Sequence, residues 1–274
     1  MSEGGANNER RRVALAIGAH PDDVEISCAG TLRLLAAKGF EIHIATMTLG
    51  DCGSKEHSME EIRRIRRSEA ESACALLGAA YHYVGSQDFS IFHDEAHNRR
   101  VTALLREVSP EVVLTHPPSD YISDHEMTSV LVRNACFYAP APNYDTSSVN
   151  GSPAISAIPH LYYWDSVEGV DIYGRAVPPQ MWIAIDDQIE FKSRMLACHS
   201  SQREWLRAQH GMDEYIEAMR AWCRVRGREA AAAAGRCIEY AEAFRQHLGH
   251  AYPHTNLLAD LLAGNAVLRK PDAG

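Results

Sequence analysis

Five apolar residues in a row, Val13-Ala14-Leu15-Ala16-Ile17, are stopped by Gly18. An uninterrupted apolar run of this length marks a strand covered on both faces, as in a parallel sheet. The period then changes: residues 31–38 carry helix formers with apolar residues on one side, and Gly39 supplies a stop. Residues 42–46 read as a second strand. Residues 58–77 read as a long helix whose apolar positions include Ile62, Ile65, Ala73, Leu76 and Leu77, ended by Gly78. A third strand over 81–84, a helix over 99–108 and a fourth strand over 112–115 complete the alternation. This order predicts a parallel sheet with helices on both faces, in a single α/β domain over residues 13–274. Residues 1–12 hold too little apolar content to pack and read as a disordered tail.

The second half is less regular. Residues 139–159 are rich in Pro, Ser, Asn and Gly, a length at which a loop is usually functional or disordered. Residues 161–164 and 181–185 read as further strands, 186–198 and 212–234 as helices, 238–244 as helix or strand, and 256–262 as a short closing helix.

Composition narrows the function classes. The chain has 274 residues, 46% hydrophobic and 23% charged, enough for one substantial core. A formal net charge of -9 argues against a general nucleic-acid partner, which needs a basic face to displace counterions. The seven cysteines are scattered with no C-x-x-C pair, which predicts reduced thiols and a cytoplasmic location. No apolar run approaches a membrane span, and the first residues lack a signal core. The absence of G-x-G-x-x-G after the first strand weakens a dinucleotide-dependent alternative.

Reactive side chains gather where predicted strands end, the place where ligands sit in open α/β sheets. Ala19-His20-Pro21-Asp22-Asp23-Val24-Glu25 follows the first strand, Gly50-Asp51 the second, and His116 to His125 the fourth. His20-x-x-Asp23 is half of a metal site, and His125 supplies a third ligand, leaving a position open for water. Asp22 lies beside the ligand Asp23 and is placed to accept the water's proton. These parts describe metal-assisted hydrolysis of a carbonyl compound. Glu25 reads as local support, and the arginines of 63–67 other than Arg66 as a solvated helix face.

These residues resemble the A-H-P-D-D-x-E signature of the LmbE-like, or PIG-L, family of zinc-dependent de-N-acetylases. The resemblance continues through Thr48-Leu49-Gly50-Asp51 with Gly53, Arg66-x-x-Glu69, Leu77-Gly78, Val113-Leu114-Thr115-His116, Asp120-Tyr121, Asp124-His125, His199-Ser200-Ser201-Gln202 and Ala241-Glu242-Ala243-Phe244-Arg245. It implies a Rossmann-like three-layer α/β/α sandwich, zinc on His20, Asp23 and His125, Asp22 as general base, and Arg66 near the substrate. The implied substrates are N-acetylglucosamine derivatives. Asp124 would orient His125 or its neighbours, and Asp51 joins Arg66 on the substrate side. The sequence departs from several relatives at Ile122, where they carry a histidine that stabilises the oxyanion or protonates the amine. That role would pass to His116, to Tyr121, to a residue of the later loop such as His160, or to the metal alone. A two-His, one-carboxylate set also accepts Fe2+ or Co2+. The expected partner is a small amino sugar, with homo-oligomerisation open. A metal-dependent amidase on a non-sugar amide and a silent carbohydrate-binding protein are the alternatives.

Overall fold

The computed structural model describes residues 11–202 and 214–270. Among these, the strands β1 (Val13–Gly18), β2 (Glu41–Thr46), β3 (Ala80–Tyr83), β4 (Val112–Thr115), β5 (His160–Trp164), β6 (Met181–Ala184), β7 (Ala241–Gln246) and β8 (Ala266–Leu268) form one sheet. Their spatial order is β3-β2-β1-β4-β5-β7-β6-β8. β1 to β5 are mutually parallel, and the pairs β5/β7, β6/β7 and β6/β8 are antiparallel. The helices are α1 (Asp23–Ala37), α2 (Met59–Leu77), α3 (Glu95–Val108), α4 (Ser123–Tyr138), α5 (Ile189–Leu196), α6 (Glu214–Ala234) and α7 (Leu257–Leu261).

The continuous apolar run of β1 is explained by two cores. Successive side chains of a strand point to opposite faces. Ala14 and Ala16 join Cys28, Leu32 and Leu35 of α1 in one core, whereas Leu15 and Ile17 join Leu105 of α3 and Leu131 of α4 in the other. α5 and α6 share the first face through Met195, Met219 and Cys223. The result is the expected three-layer sandwich, parallel through β5 and antiparallel beyond it.

Several boundaries differ from the sequence pattern for local reasons. α1 starts at Asp23 because the Ile26 amide donates to Asp22 O at 2.9 Å and closes the first turn there. The His-x-x-Asp motif therefore sits on a helix N-terminus, where Asp23 and Glu25 face the positive end of the helix dipole. α3 starts at Glu95 because the Asp94 side chain caps His97 N at 2.8 Å. α2 has a full capping box between Ser58 and Glu61. Of the two alternatives left open for 238–244, residues 241–246 take the strand, and the short edge strand β8 had no pattern to announce it. Of the expected tail, residues 1–10 lie outside the described residues, while Arg11 and Arg12 pair with Glu41 and Glu111. Residues 212 and 213 of the expected helix also lie outside them.

The loop over 139–159 is anchored beside α3. The buried Arg106 guanidinium donates to Ala139 O at 3.1 Å and Ala141 O at 2.7 Å, pinning the loop beside α3. None of its residues lines the cavity at the sheet's carboxyl edge.

Candidate metal centre

The chain leaves β1 for β2 and β3 on one side and returns to β4 on the other. This reversal opens a crevice at the carboxyl ends of the strands. The turn after β1 and the start of α4 meet in it.

The ligand atoms of His20, Asp23 and His125 lie within 4.8 Å of one another. His20 is held by its own backbone, whose N–H donates to Asp23 Oδ2 at 2.7 Å, and by Asp124 Oδ2, 3.3 Å from its Nε2. His125 Nδ1 bonds Asp120 Oδ2 at 2.9 Å, which directs Nε2 towards Asp23 Oδ1 at 3.4 Å. That Nε2 is buried and has no hydrogen-bond partner. A buried imidazole nitrogen left open by a carboxylate on the opposite ring atom is the arrangement of a metal-binding histidine. The residues present thus fit a divalent cation.

The electrostatics agree. Burial lowers His20, yet its hydrogen bonds to Asp124 and Asp23 outweigh this and push it up to about 10. His125 is pushed up to about 9, burial again being overcome by Asp23 and Asp120. Burial works against the ionised form of Asp23, but His125 and His116 hold it well below the usual carboxylate range. Positive charge is favoured at this spot. Asp22, the next residue, behaves in the opposite sense: burial raises it, and the pull of Arg66 does not cancel the combined effect of burial and Asp23. Its Oδ2 accepts from Arg66 Nη2 at 3.2 Å and from the Tyr215 hydroxyl. Asp22 also has φ +101, a left-handed conformation that a non-glycine residue adopts under strain.

His116 is buried and stacks on His125 with ring centroids 3.8 Å apart. Its Nε2 stands 3.0 Å from both Ala19 N and Asp23 Oδ2. Unprotonated, it accepts the amide hydrogen; protonated, it donates to the carboxylate.

A cavity of about 640 Å³ opens over this cluster. It is lined by Asp22, Arg66, Tyr121 and Ile122 on the ligand side, and by residues 164–170 and α6 on the far side. Of the expected substrate residues, Arg66 is buried against Asp22 and Pro21 O, and Tyr121 is 68% exposed at the mouth. Two expectations are corrected. His160 begins β5 opposite Val112, the first residue of β4, so it lies at the wrong end of the sheet and outside the cavity. Asp51 is buried beneath the floor, accepting Asp88 N–H at 2.9 Å and pairing with Arg63, which is therefore not on a solvated face. Asp124 orients His20 and accepts Phe89 N–H at 2.8 Å, while the carboxylate on His125 is Asp120. Glu25 is buried 3.4 Å from His199 Nε2, apart from the cluster.

Sequence reasoning missed Tyr215, Asp88 and the wall over 165–170. Asp88 Oδ1 stands 4.0 Å from His20 Nε2. It follows β3 as the other motifs follow their strands, and that position was the available signal. Tyr215 had none, because it reaches Asp22 from a helix remote in sequence. Glu69 binds Ser200 Oγ at 2.8 Å and Ser201 N at 2.8 Å, which joins two of the separate motifs into one support.

Residues 15–136 match the family model described as "PIG-L: GlcNAc-PI de-N-acetylase". Among curated relatives, a 4-oxalmesaconate hydratase of Pseudomonas putida KT2440 is 28% identical over 163 residues, covering 56% of this chain and 63% of that protein, less than two thirds of its length. A diacetylchitobiose deacetylase of Thermococcus kodakarensis is 27% identical over 202 residues, 71% of each chain. The solved structure of an N,N'-diacetylchitobiose deacetylase from Pyrococcus horikoshii superposes with a TM-score of 0.73 at 23% identity, covering 90% of this chain and 89% of that one, a likeness of fold. No helix among the described residues is long and apolar enough to cross a membrane. The residues that form the cluster, from His20 to His125, all fall inside the span, residues 15–136, that is similar to the PIG-L family model.

Proposed function

We propose that this chain is a metal-dependent hydrolase that removes the N-acetyl group from an N-acetylglucosamine-type sugar, releasing acetate and a free amine. The observation that carries the reading is the open His125 Nε2 within the His20, Asp23, His125 cluster, with Asp22 at the next position lining the same cavity. A Zn2+ ion there, with Fe2+ or Co2+ as same-site alternatives, would polarise the amide carbonyl and acidify water. Asp22 takes the proton of the attacking water. Arg66 and Tyr215 both bond its Oδ2, which leaves Oδ1 for that proton. The departing amine needs a proton that Ile122 cannot supply, and His116 and Tyr121 are the candidates that line the cavity. Cytoplasmic location and a small amino-sugar partner belong to the same reading.

The hydratase relative makes addition of water to an unsaturated polycarboxylate the second reading. The charge of the cavity favours the first. Its cationic lining residues, Arg66, Lys192 and Arg226, are each held by a carboxylate: Asp22, Glu242 and Asp165 respectively. No free guanidinium or ammonium among them faces a polyanion, whereas a neutral sugar and an aminium product suit an acidic wall. Acetate release measured over N-acetylglucosamine, its phosphate, its oligomers and its thiol glycosides decides the matter, beside loss of ultraviolet absorbance from the unsaturated acid. Acetate from at least one sugar is expected; hydration of the acid with no acetate would replace the proposal.

A further inference from the structure

His116 follows β4 and borders the cavity, yet the residue is only 1% exposed. Both of its ring nitrogens meet protein atoms. Nε2 stands 3.0 Å from Asp23 Oδ2 and 3.0 Å from Ala19 N, and Nδ1 is inaccessible to solvent, 3.8 Å from Asp120 Oδ2. A group that hands a proton to a substrate must come within hydrogen-bond reach of it. Neither nitrogen is presented in that way, and the ring is held where it is. It stacks on His125 with centroids 3.8 Å and planes 26° apart, and buried Trp164 backs it edge-on at 4.7 Å. The backbone beneath it is stiff: Thr115 Oγ1 donates to Ile17 O at 2.8 Å, and Pro117 and Pro118 follow.

Resting on the deacetylase reading, we propose that His116 is a positioning residue, a brace for Asp23 and His125, and that the amine's proton comes from another group. With its hydrogen on Nε2 the ring donates to the ionised Asp23, and a charge-assisted bond of this kind is about twice as strong as a neutral one. Asp23 Oδ2 also accepts the His20 N–H at 2.7 Å. Two donors on Oδ2 leave Oδ1, 3.4 Å from His125 Nε2, as the oxygen available to a cation. A carboxylate that offers one oxygen rather than two keeps a position open for water. His125 is supported from two directions: Asp120 Oδ2 bonds its Nδ1 at 2.9 Å in the plane of the ring, and His116 covers its face. A simple hydrogen-bond donor could do the first of these tasks, but only a flat ring does both.

The test sets His116→Gln beside His116→Leu. The glutamine amide can donate to Asp23 and accept from Ala19 N–H, but it has no proton to give to an amine; leucine can do none of these. Zinc affinity is measured by chelator competition, and kcat and KM are measured at saturating zinc on the N-acetylated sugar that releases acetate fastest. His116→Leu is expected to weaken zinc binding about 10- to 100-fold, and His116→Gln to restore it to within about threefold of the parent. Turnover of the glutamine variant should stay within about tenfold of the parent at unchanged KM, whereas loss of a proton donor would lower it about 10²- to 10⁴-fold. Parental zinc affinity in His116→Leu, lost zinc affinity in His116→Gln, or a glutamine variant that binds zinc as the parent does yet turns over more than about tenfold slower overturns the proposal. Should His116→Leu not fold, the glutamine variant decides alone by the same two readings. Should no sugar release acetate, the deacetylase reading fails by itself, and the zinc affinities decide: weak with leucine and restored with glutamine sustains the brace, and equal affinity in all three proteins sinks it.

Discussion

Gly50→Ala is a sensitive probe of the contact that holds Asp22. Gly50 has φ +68, and an added Cβ would stand 1.9 Å from Arg66 Nη1 and 2.3 Å from its Cζ. Two costs follow. A side chain in the left-handed region costs about 1–2 kcal/mol. The guanidinium must also leave its place, giving up Pro21 O at 2.7 Å and Asp22 Oδ2 at 3.2 Å. Both members of that pair are buried, so breaking it costs about 3–5 kcal/mol. The sum, about 4–7 kcal/mol, is a large share of the roughly 5–15 kcal/mol that stabilises a domain. Gly39→Ala isolates the first cost, since Gly39 has φ +83 and nothing within 4 Å of its added Cβ. Urea unfolding at unchanged slope should therefore place the two variants about 3–5 kcal/mol apart. Arg66→Ala alone should also cost about 3–5 kcal/mol, but adding Gly50→Ala to it should cost only the backbone strain, because the clash has gone. If the glycine variants differ by less than about 1 kcal/mol, or if the Gly50 and Arg66 costs add, Arg66 is not displaced and the account of how Asp22 is held fails.

Asp22→Asn should lower turnover about 10²- to 10⁴-fold with metal content retained, and near-normal turnover would remove it as base. Asp120→Asn, which neutralises the carboxylate bonded to His125 Nδ1, should weaken zinc binding about 10- to 100-fold; unchanged affinity in a chelator competition would show that Asp120 does not support the ligand. In the metal-free protein His20 and His125 are raised from 6.5 to about 10 and about 9. Raised folded-state values give stability that is full below pH 6.5 and lost as the pH climbs through 9 to 10. The metal-free melting temperature should fall over that window, and saturating zinc should flatten the fall; a metal-free melt insensitive to pH there would refute the electrostatic account.

The legible part of this molecule is the part whose signals are local. β1, β2 and β4 announce themselves as short apolar runs because both faces are buried, and α2 because Ser58, Glu61 and Gly78 mark its ends. The ligand and base candidates were legible for a related reason: His20, Asp22 and Asp23 share one turn, and His125 follows another strand. What stayed hidden depends on distant pairings. Asp51 and Asp120 both look like strand-end carboxylates, and only the fold decides that Arg63 and Asp88 N–H engage the first while His125 engages the second. His160 looked available because register is invisible in sequence: its alignment with Val112 sends it to the far edge. The anchoring of the 139–159 loop was equally hidden, since Arg106 is received by the backbone carbonyls of Ala139 and Ala141, which composition does not reveal.

The ligand cluster, Asp22 and Arg66 all lie before α4 ends, whereas Tyr215, Trp222 and the wall after β5 come later in the chain. The candidate ligand cluster and the far wall of the cavity thus come from separate stretches of the chain, joined where the Tyr215 hydroxyl bonds Asp22. Residues 165–170 and the exposed positions of α6 can be exchanged while His20, Asp23 and His125 stay unchanged. A scaffold divided in this way can explore new substrates one wall at a time.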